Sequence, residues 1–287
     1  MAVAGGLRVL YASVMEHRDG TIESRVCEPF TVAGGAARRG VVVLCDHASN
    51  ALPTGYGTLG LPPHEFARHI AYDIGAAGVA RGLAARLGAP AVLSNFSRLL
   101  IDLNRGCDDP TLIMRISDGA VIEGNRVLDN AERACRIARY YAPYHDAVRG
   151  TIEACLSCGV APMIVSIHSY TPVWRGVARH WHAALLWDRD PRLAVAMIDA
   201  LRADPALVIG DNEPYHGALR GDTLWQHGTR RGLAHALVEI RQDLIADEAG
   251  QAQWAARLAR IIARFLETPV LANQLLRVEH YGSQTDI

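Results

Sequence analysis

Six short apolar runs, each stopped by polar residues, constrain the fold of this 287-residue chain more than any other feature. They are GVVVLCD (40–46), APAVLSN (89–95), PMIVSIHSY (162–170), HAALLWD (182–188), ALVIGD (206–211) and AHALVEIR (234–241). Strands that stay apolar on successive residues must be covered on both faces, as the strands of a parallel sheet are. Between and after them lie segments with apolar residues at helical spacing: 73–87, about 129–158 with a bend expected near Pro143, 191–202 and 251–266. The alternation predicts an α/β fold with a mainly parallel or mixed sheet, helices on both faces and an amphipathic C-terminal helix. No proline-rich, serine-rich or charge-block linker and no fixed-period repeat divides the sequence. One domain over 1–287 is therefore expected, with the tail after Val278 loosely held.

Composition narrows the class of partner. Half of the residues are apolar, enough for a sizeable core, and a formal charge of -1 provides no general field to gather nucleic acid or a membrane surface. An anionic ligand must then be held by individual arginines. The first twenty residues lack the pattern of a secretory leader and no apolar run is long enough to span a bilayer, so a soluble, cytoplasmic protein is expected. Six scattered cysteines, at 27, 45, 107, 135, 155 and 158, suit reduced thiols, and Cys155 and Cys158, a lone C-x-x-C, read as packing residues.

In an open parallel sheet the ligand crevice lies outside the carboxyl ends of the strands. Polar residues stand there at three places: Asp46 with His47, His168, and Glu239 with Arg241. Two imidazoles and a carboxylate converging on one crevice meet the needs of a catalytic zinc, although histidines that merely bond neighbouring loops remain an alternative. Strings that signal a phosphate-binding P-loop or a serine nucleophile, such as G-x-x-x-x-G-K-[ST] and G-x-S-x-G, are absent.

The strings DHASNALP, DIGA, SRLLIDLNR, YAPYH, SIHSY and VEIRQDL follow one another between Val41 and Leu244. In that order they resemble the N-formylglutamate amidohydrolase family, itself similar to the zinc carboxypeptidases and aspartoacylase. The resemblance implies a zinc-carboxypeptidase-like fold. It also implies a Zn2+ ion, or another divalent transition metal, held by His47, Asp73 and His168. Those relatives place the acidic ligand three residues after the first histidine, where this sequence has Asn50, a poor zinc ligand. Asp73 is matched by its place at the head of a helix, where an aspartate is also favoured by the helix dipole. Glu239 matches the general base that moves a proton from water to the leaving amine, unless it is instead paired with Arg241, two residues along the same strand.

SRLLIDLNR is similar to the carboxylate-binding segment of aspartoacylase, which makes Arg105 and Arg98, with Asn104 beside them, the substrate-binding candidates, and Arg241 a further one. A guanidinium grips both oxygens of a carboxylate and an amide adds direction; Asp102 would orient an arginine, or all four could form a surface ion-pair cluster. His145 matches the family's Pro-Tyr-His string and is a candidate proton shuttle, or a buried polar contact on its helix. Glu213 could line the pocket, and most of the remaining histidines (64, 69, 180, 182, 216, 227 and 235) should be structural. The implied reaction is metal-dependent hydrolysis of an N-formyl or N-acyl amino acid, with N-formyl-L-glutamate the leading small-molecule substrate. Another N-acyl amino acid deacylase, a small-peptide hydrolase or a carboxylate-binding relative without turnover are the alternatives.

Overall fold

The computed structural model describes residues 28–286. The segment read above for a secretory leader, and Cys27, lie outside them. The sheet has seven strands: β1 (Phe30–Ala33), β2 (Val41–Cys45), β3 (Ala91–Ser94), β4 (Met163–Tyr170), β5 (Ala183–Leu186), β6 (Ile209–Asp211) and β7 (His235–Arg241). Their order is β1-β3-β2-β4-β7-β5-β6. The central four run parallel, β1 is antiparallel to β3, and β5 is antiparallel to β7, so the sheet is mixed. Every residue of β2 and β4 is buried, as their unbroken apolar runs require.

Alternation along β2 divides the core. Val41, Val43 and Cys45 pack with α1 (Ala76–Leu87), α4 (Arg192–Arg202) and α6 (Glu248–Glu267) on one face. Val42 and Leu44 pack on the other, against Tyr144, Val148 and Ile152 of α3 (Ala142–Ser157). Each such side chain buried in full contributes about 1.5–3 kcal/mol, so the central strands anchor the whole site.

The long helical segment is broken where a bend was expected, but by a wide π turn. α2 (Asn130–Arg136) passes through a π turn, Ile137–Tyr141, into α3, whose first turn contains Pro143. Proline lacks the N–H that a regular ladder would use there, and it is tolerated in a first turn. The short α5 (Thr223–His227) and α7 (Pro269–Leu275), strand β1, and the two-stranded hairpins at Ile116–Val121 and Val173–Ala178 carry too little periodicity to stand out in sequence.

Two expectations need correction. The tail is not loosely held: Glu279 N–H donates to the Gly232 carbonyl at 2.8 Å, Ser283 is buried, and Gln284 N–H donates to Asp188. Arg192, paired with Asp190, donates to the carbonyls of Arg277 and Glu279, which gives the tail a charged anchor. Of the C-x-x-C pair, Cys155 is in the core but Cys158, capping the end of α3, is exposed.

Candidate active site

The topology fixes where a crevice opens. From β2 the chain passes through α1 to β3 on one side, then returns to place β4 on the other side of β2. Strand order reverses between β2 and β4, the position at which open α/β sheets bind ligands. His47 follows β2, and His168 lies near the carboxyl end of β4. Glu239 on β7 stands directly beside His168 in the parallel register, so the two side chains share a face.

Asp73 is brought to the same point by backbone. Its N–H donates to the His47 carbonyl at 3.0 Å. Gly75 then turns the chain into α1 with φ 79°, where a Cβ would lie 2.1 Å from the Ile245 carbonyl oxygen, so a side chain is excluded there. Asp73 makes no cap to α1, and the helix-start reading is replaced by a carboxylate aimed at the histidines. Asp73 Oδ2 lies 2.8 Å from His168 Nδ1 and 3.3 Å from His47 Nδ1, and accepts from the Ser169 N–H. One donor atom from each of the three residues falls within 4.8 Å of the others.

The far sides of the rings decide their chemistry. His47 Nε2 lies 2.7 Å from Asp102 Oδ1 and His168 Nε2 lies 3.1 Å from Asp46 Oδ2. A carboxylate only accepts, so both Nε2 atoms carry hydrogen, and the Nδ1 atoms face Asp73. Asp73 Oδ2 likewise only accepts, so each Nδ1 either donates a hydrogen to it or shares a cation with it. Asp46 is itself clamped by the Tyr144 hydroxyl at 2.7 Å and the Thr223 hydroxyl at 3.0 Å. Asp102 also receives two donors of Arg98, the shorter at 2.6 Å, so it orients both a histidine and an arginine.

Burial disfavours each of these carboxylates as an ion, yet their partners outweigh it. His168 brings Asp46 down to about 2, His47 and His168 hold Asp73 far below the usual range, and Arg98 with His47 does the same for Asp102. His168 is raised well above a free imidazole, against its burial, by hydrogen bonds to Asp46 and Asp73. Were both imidazoles neutral, as ligands of a metal are, three buried carboxylates against one guanidinium would leave two negative charges, which a divalent cation would balance. The donor set and its charge thus fit such an ion.

A cavity of about 550 Å³ opens over this cluster, lined by His47, Asp73, Arg98, Asn104, Arg105, His168 and Glu239 among others. Glu239 is buried with no hydrogen-bond partner for Oε2, and burial pushes its carboxyl up to about 7. It is not paired with Arg241. Asn104 accepts the Thr223 N–H through Oδ1, and Arg105 donates to Thr111 and to the Asn104 carbonyl.

Four candidates lie elsewhere. Arg241 does not line the cavity; its guanidinium binds Asp243 and the carbonyls of residues 179–181. His145 is also off the cavity wall, buried between the Leu103 carbonyl and His227, the polar-contact alternative. Asn50 donates to the Phe66 carbonyl, apart from the histidines, and Glu213 is outside the lining.

Several lining or clamping groups were not singled out in sequence: Tyr144, Ser166, Thr223, Asp222, Trp225 and Arg179. Tyr144 sits inside the quoted YAPYH string. Asp222 caps α5 through the Trp225 N–H at 2.6 Å, a D-T-L start signal, and burial raises its carboxyl to about 7. For Arg179 the sequence offers only nearby aromatics.

Comparison with known proteins supplies the remaining evidence. The gene product Atu2144 from Agrobacterium tumefaciens is 37% identical in a solved structure, with a TM-score of 0.80 over 84% of this chain and 96% of that one. N-formylglutamate amidohydrolase from Ralstonia eutropha JMP134 has the same fold at 22% identity, with a TM-score of 0.64 over 84% of this chain and 97% of that one. No curated protein matches the sequence. The family model for N-formylglutamate amidohydrolase matches residues 39–246, which contain all of the clustered residues above. By that match, which spans most of its length, the chain belongs to the N-formylglutamate amidohydrolase family.

Proposed function

We propose that this protein is a metal-dependent amidohydrolase of N-formyl or other N-acyl amino acids, with N-formyl-L-glutamate, giving formate and L-glutamate, as the leading substrate. The observation that carries the reading is the pair of Nδ1 atoms facing Asp73 while a buried carboxylate holds each Nε2. His47, Asp73 and His168 would hold zinc or another divalent transition metal. Bound there, the ion supplies Lewis acidity toward the acyl oxygen and the attacking water.

The remaining work falls to the chain's own groups. Hydrolysis moves one proton from water to the departing amine, and Glu239 Oε2, unpartnered and titrating near neutrality, suits both halves of that transfer. Arg105 would grip a substrate carboxylate. Asn104, whose Oδ1 is engaged by Thr223, keeps its amide hydrogens for the same ligand. Asp46 and Asp102 fix the imidazole tautomers. The same reading places the reaction in the cytoplasm, in keeping with free thiols at all five described cysteines. No helix among the described residues is long and apolar enough to cross a membrane.

The test is an assay of the metal-loaded protein against N-formyl and N-acetyl amino acids. Turnover should be highest on N-formyl-L-glutamate and vanish on chelation. A metal-loaded protein inert on the whole panel removes the catalytic reading. Turnover that survives complete metal removal removes the metal.

A further inference from the structure

Little-exposed arginines in the described structure commonly face a carboxylate. Arg98 meets Asp102 at 2.6 Å, Arg136 meets Glu132 at 2.7 Å, and Arg192 meets Asp190 at 2.6 Å. Arg179 is the exception. It is 8% exposed, lines the cavity, and makes no ion pair among the described residues. Its guanidinium carbon lies 5.3 Å from the Tyr170 ring centre, 5.5 Å from Trp174 and 5.1 Å from Tyr215. Nη2 donates to the Tyr215 hydroxyl at 2.7 Å, and Nη1 makes longer contacts to Thr171.

Aromatic faces compensate part of the cost of burying a cation, but a guanidinium stacked on rings still presents its N–H edge to acceptors in its own plane. The Tyr215 hydroxyl, accepting from Arg179, has its own proton to donate. The position is also fixed. Arg179 N–H donates to the Pro172 carbonyl at the root of the Val173–Ala178 hairpin, and Arg241 donates to the Arg179 carbonyl. Tyr170 ends β4, two residues beyond His168, so the cage is built on the strand that carries a cluster histidine.

We infer that Arg179, with Tyr215, binds a second carboxylate of the substrate and so selects dicarboxylic N-acyl amino acids, one carboxylate at Arg105 and the other at Arg179. This rests on the hydrolytic reading above and extends it to a residue outside the quoted motifs. It also gives Arg241 a positioning role, as the group that holds the backbone of Arg179.

The test compares N-formyl-L-glutamate with N-formyl-L-glutamine, which has the same shape without the second charge. Arg179→Met should lower kcat/KM on the glutamate substrate about 100-fold, mainly through KM, and change the glutamine substrate less than about 3-fold. Arg179→Lys, which keeps charge without the fork, should fall between, and Tyr215→Phe should lose part of the same selectivity. Equal losses on both substrates, or no preference in the wild type, overturn the inference. Equilibrium binding of glutarate against its monoamide by the purified metalloprotein separates this from failure of the proposed reaction. If neither substrate is turned over, the inference still requires the wild type to prefer glutarate and Arg179→Met to lose that preference, and it falls if the preference is absent or survives.

Discussion

Two pairs of buried histidines lie among the described residues, and their surroundings differ where their burial does not. His47 and His168 are each 2% exposed, and His145 and His227 are each 4% exposed. The first pair meets edge to face with ring centres 5.0 Å apart; the second is stacked at 5.2 Å. Around the first stand Asp46, Asp73 and Asp102. Around the second stand a carbonyl and another imidazole: His145 Nε2–H donates to Leu103 O, so its Nδ1 accepts from His227 Nε2–H. Burial lowers His145 to about 4, and burial with the His145 charge lowers His227 to about 3, whereas His168 is raised. The carboxylates, not the degree of burial, make one pair a place for positive charge and the other a neutral strut. The strut still touches the site. Leu103 O also lies 3.2 Å from the hydroxyl of Thr223, whose single hydrogen is shared between it and Asp46 behind His168.

The largest effect that separates the two pairs should come from Glu239, which faces only the first. Glu239→Gln keeps the shape of the side chain but cannot take a proton, so kcat should fall by about 10²–10⁴ while metal content stays at the wild-type level. Steady-state kinetics with elemental analysis of the same sample checks both. Activity retained in the metal-loaded variant would remove Glu239 from the mechanism.

Next in size is Arg105, on the cavity wall beside the first pair. Arg105→Lys retains charge and loses the two-pronged grip, so KM for N-formyl-L-glutamate should rise about 10-fold or more, with little change for a neutral N-acyl amide. Comparable losses on the two compounds would make Arg105 a structural residue.

Asp102→Asn sharpens the comparison by weakening one backing carboxylate of the first pair. It should reduce metal affinity about 10- to 100-fold, since an orienting partner and not a ligand is changed. Competition with a chromophoric chelator measures it, and an unchanged affinity would show that the Asp102 bond does not orient His47.

The smallest effect belongs to the second pair and appears in stability. Both its folded-state values lie below that of a free imidazole, so the unfolded chain binds more protons between about pH 6.5 and pH 3. The stabilisation is complete above about pH 6.5 and is lost as pH falls, on the order of a few kcal/mol for the pair taken together. His227→Gln, which keeps a hydrogen-bond donor, should flatten the fall in Tm between pH 7 and 4.5. Parallel curves for variant and wild type would contradict a neutral pair.

How much of this was legible in sequence follows from the range of the interactions. Strands β2, β4 and β7 and the residues at their carboxyl ends could be read from apolar runs and the polar residues that stop them, and the family strings added Asp73. Tyr144 meets Asp46 across 98 residues and Thr223 meets it across 177, separations over which no local pattern operates. His145 and Arg241 were drawn toward the site by their neighbours in the chain. A helix and a strand end turned each to other partners: His145 to Leu103 and His227, and Arg241 to Asp243 and the carbonyls of 179–181. Arg179 depends on three rings from a strand, a hairpin and a distant loop, and only the fold assembles them.

The central claim is that the first pair and Asp73 hold a catalytic divalent ion through the Nδ1 atoms. Anomalous diffraction from crystals of the zinc-loaded protein tests it most directly. One peak about 2 Å from His47 Nδ1, His168 Nδ1 and an Asp73 oxygen is the predicted result. A peak bound through Nε2, a peak elsewhere, or no peak in protein that turns over substrate would contradict it.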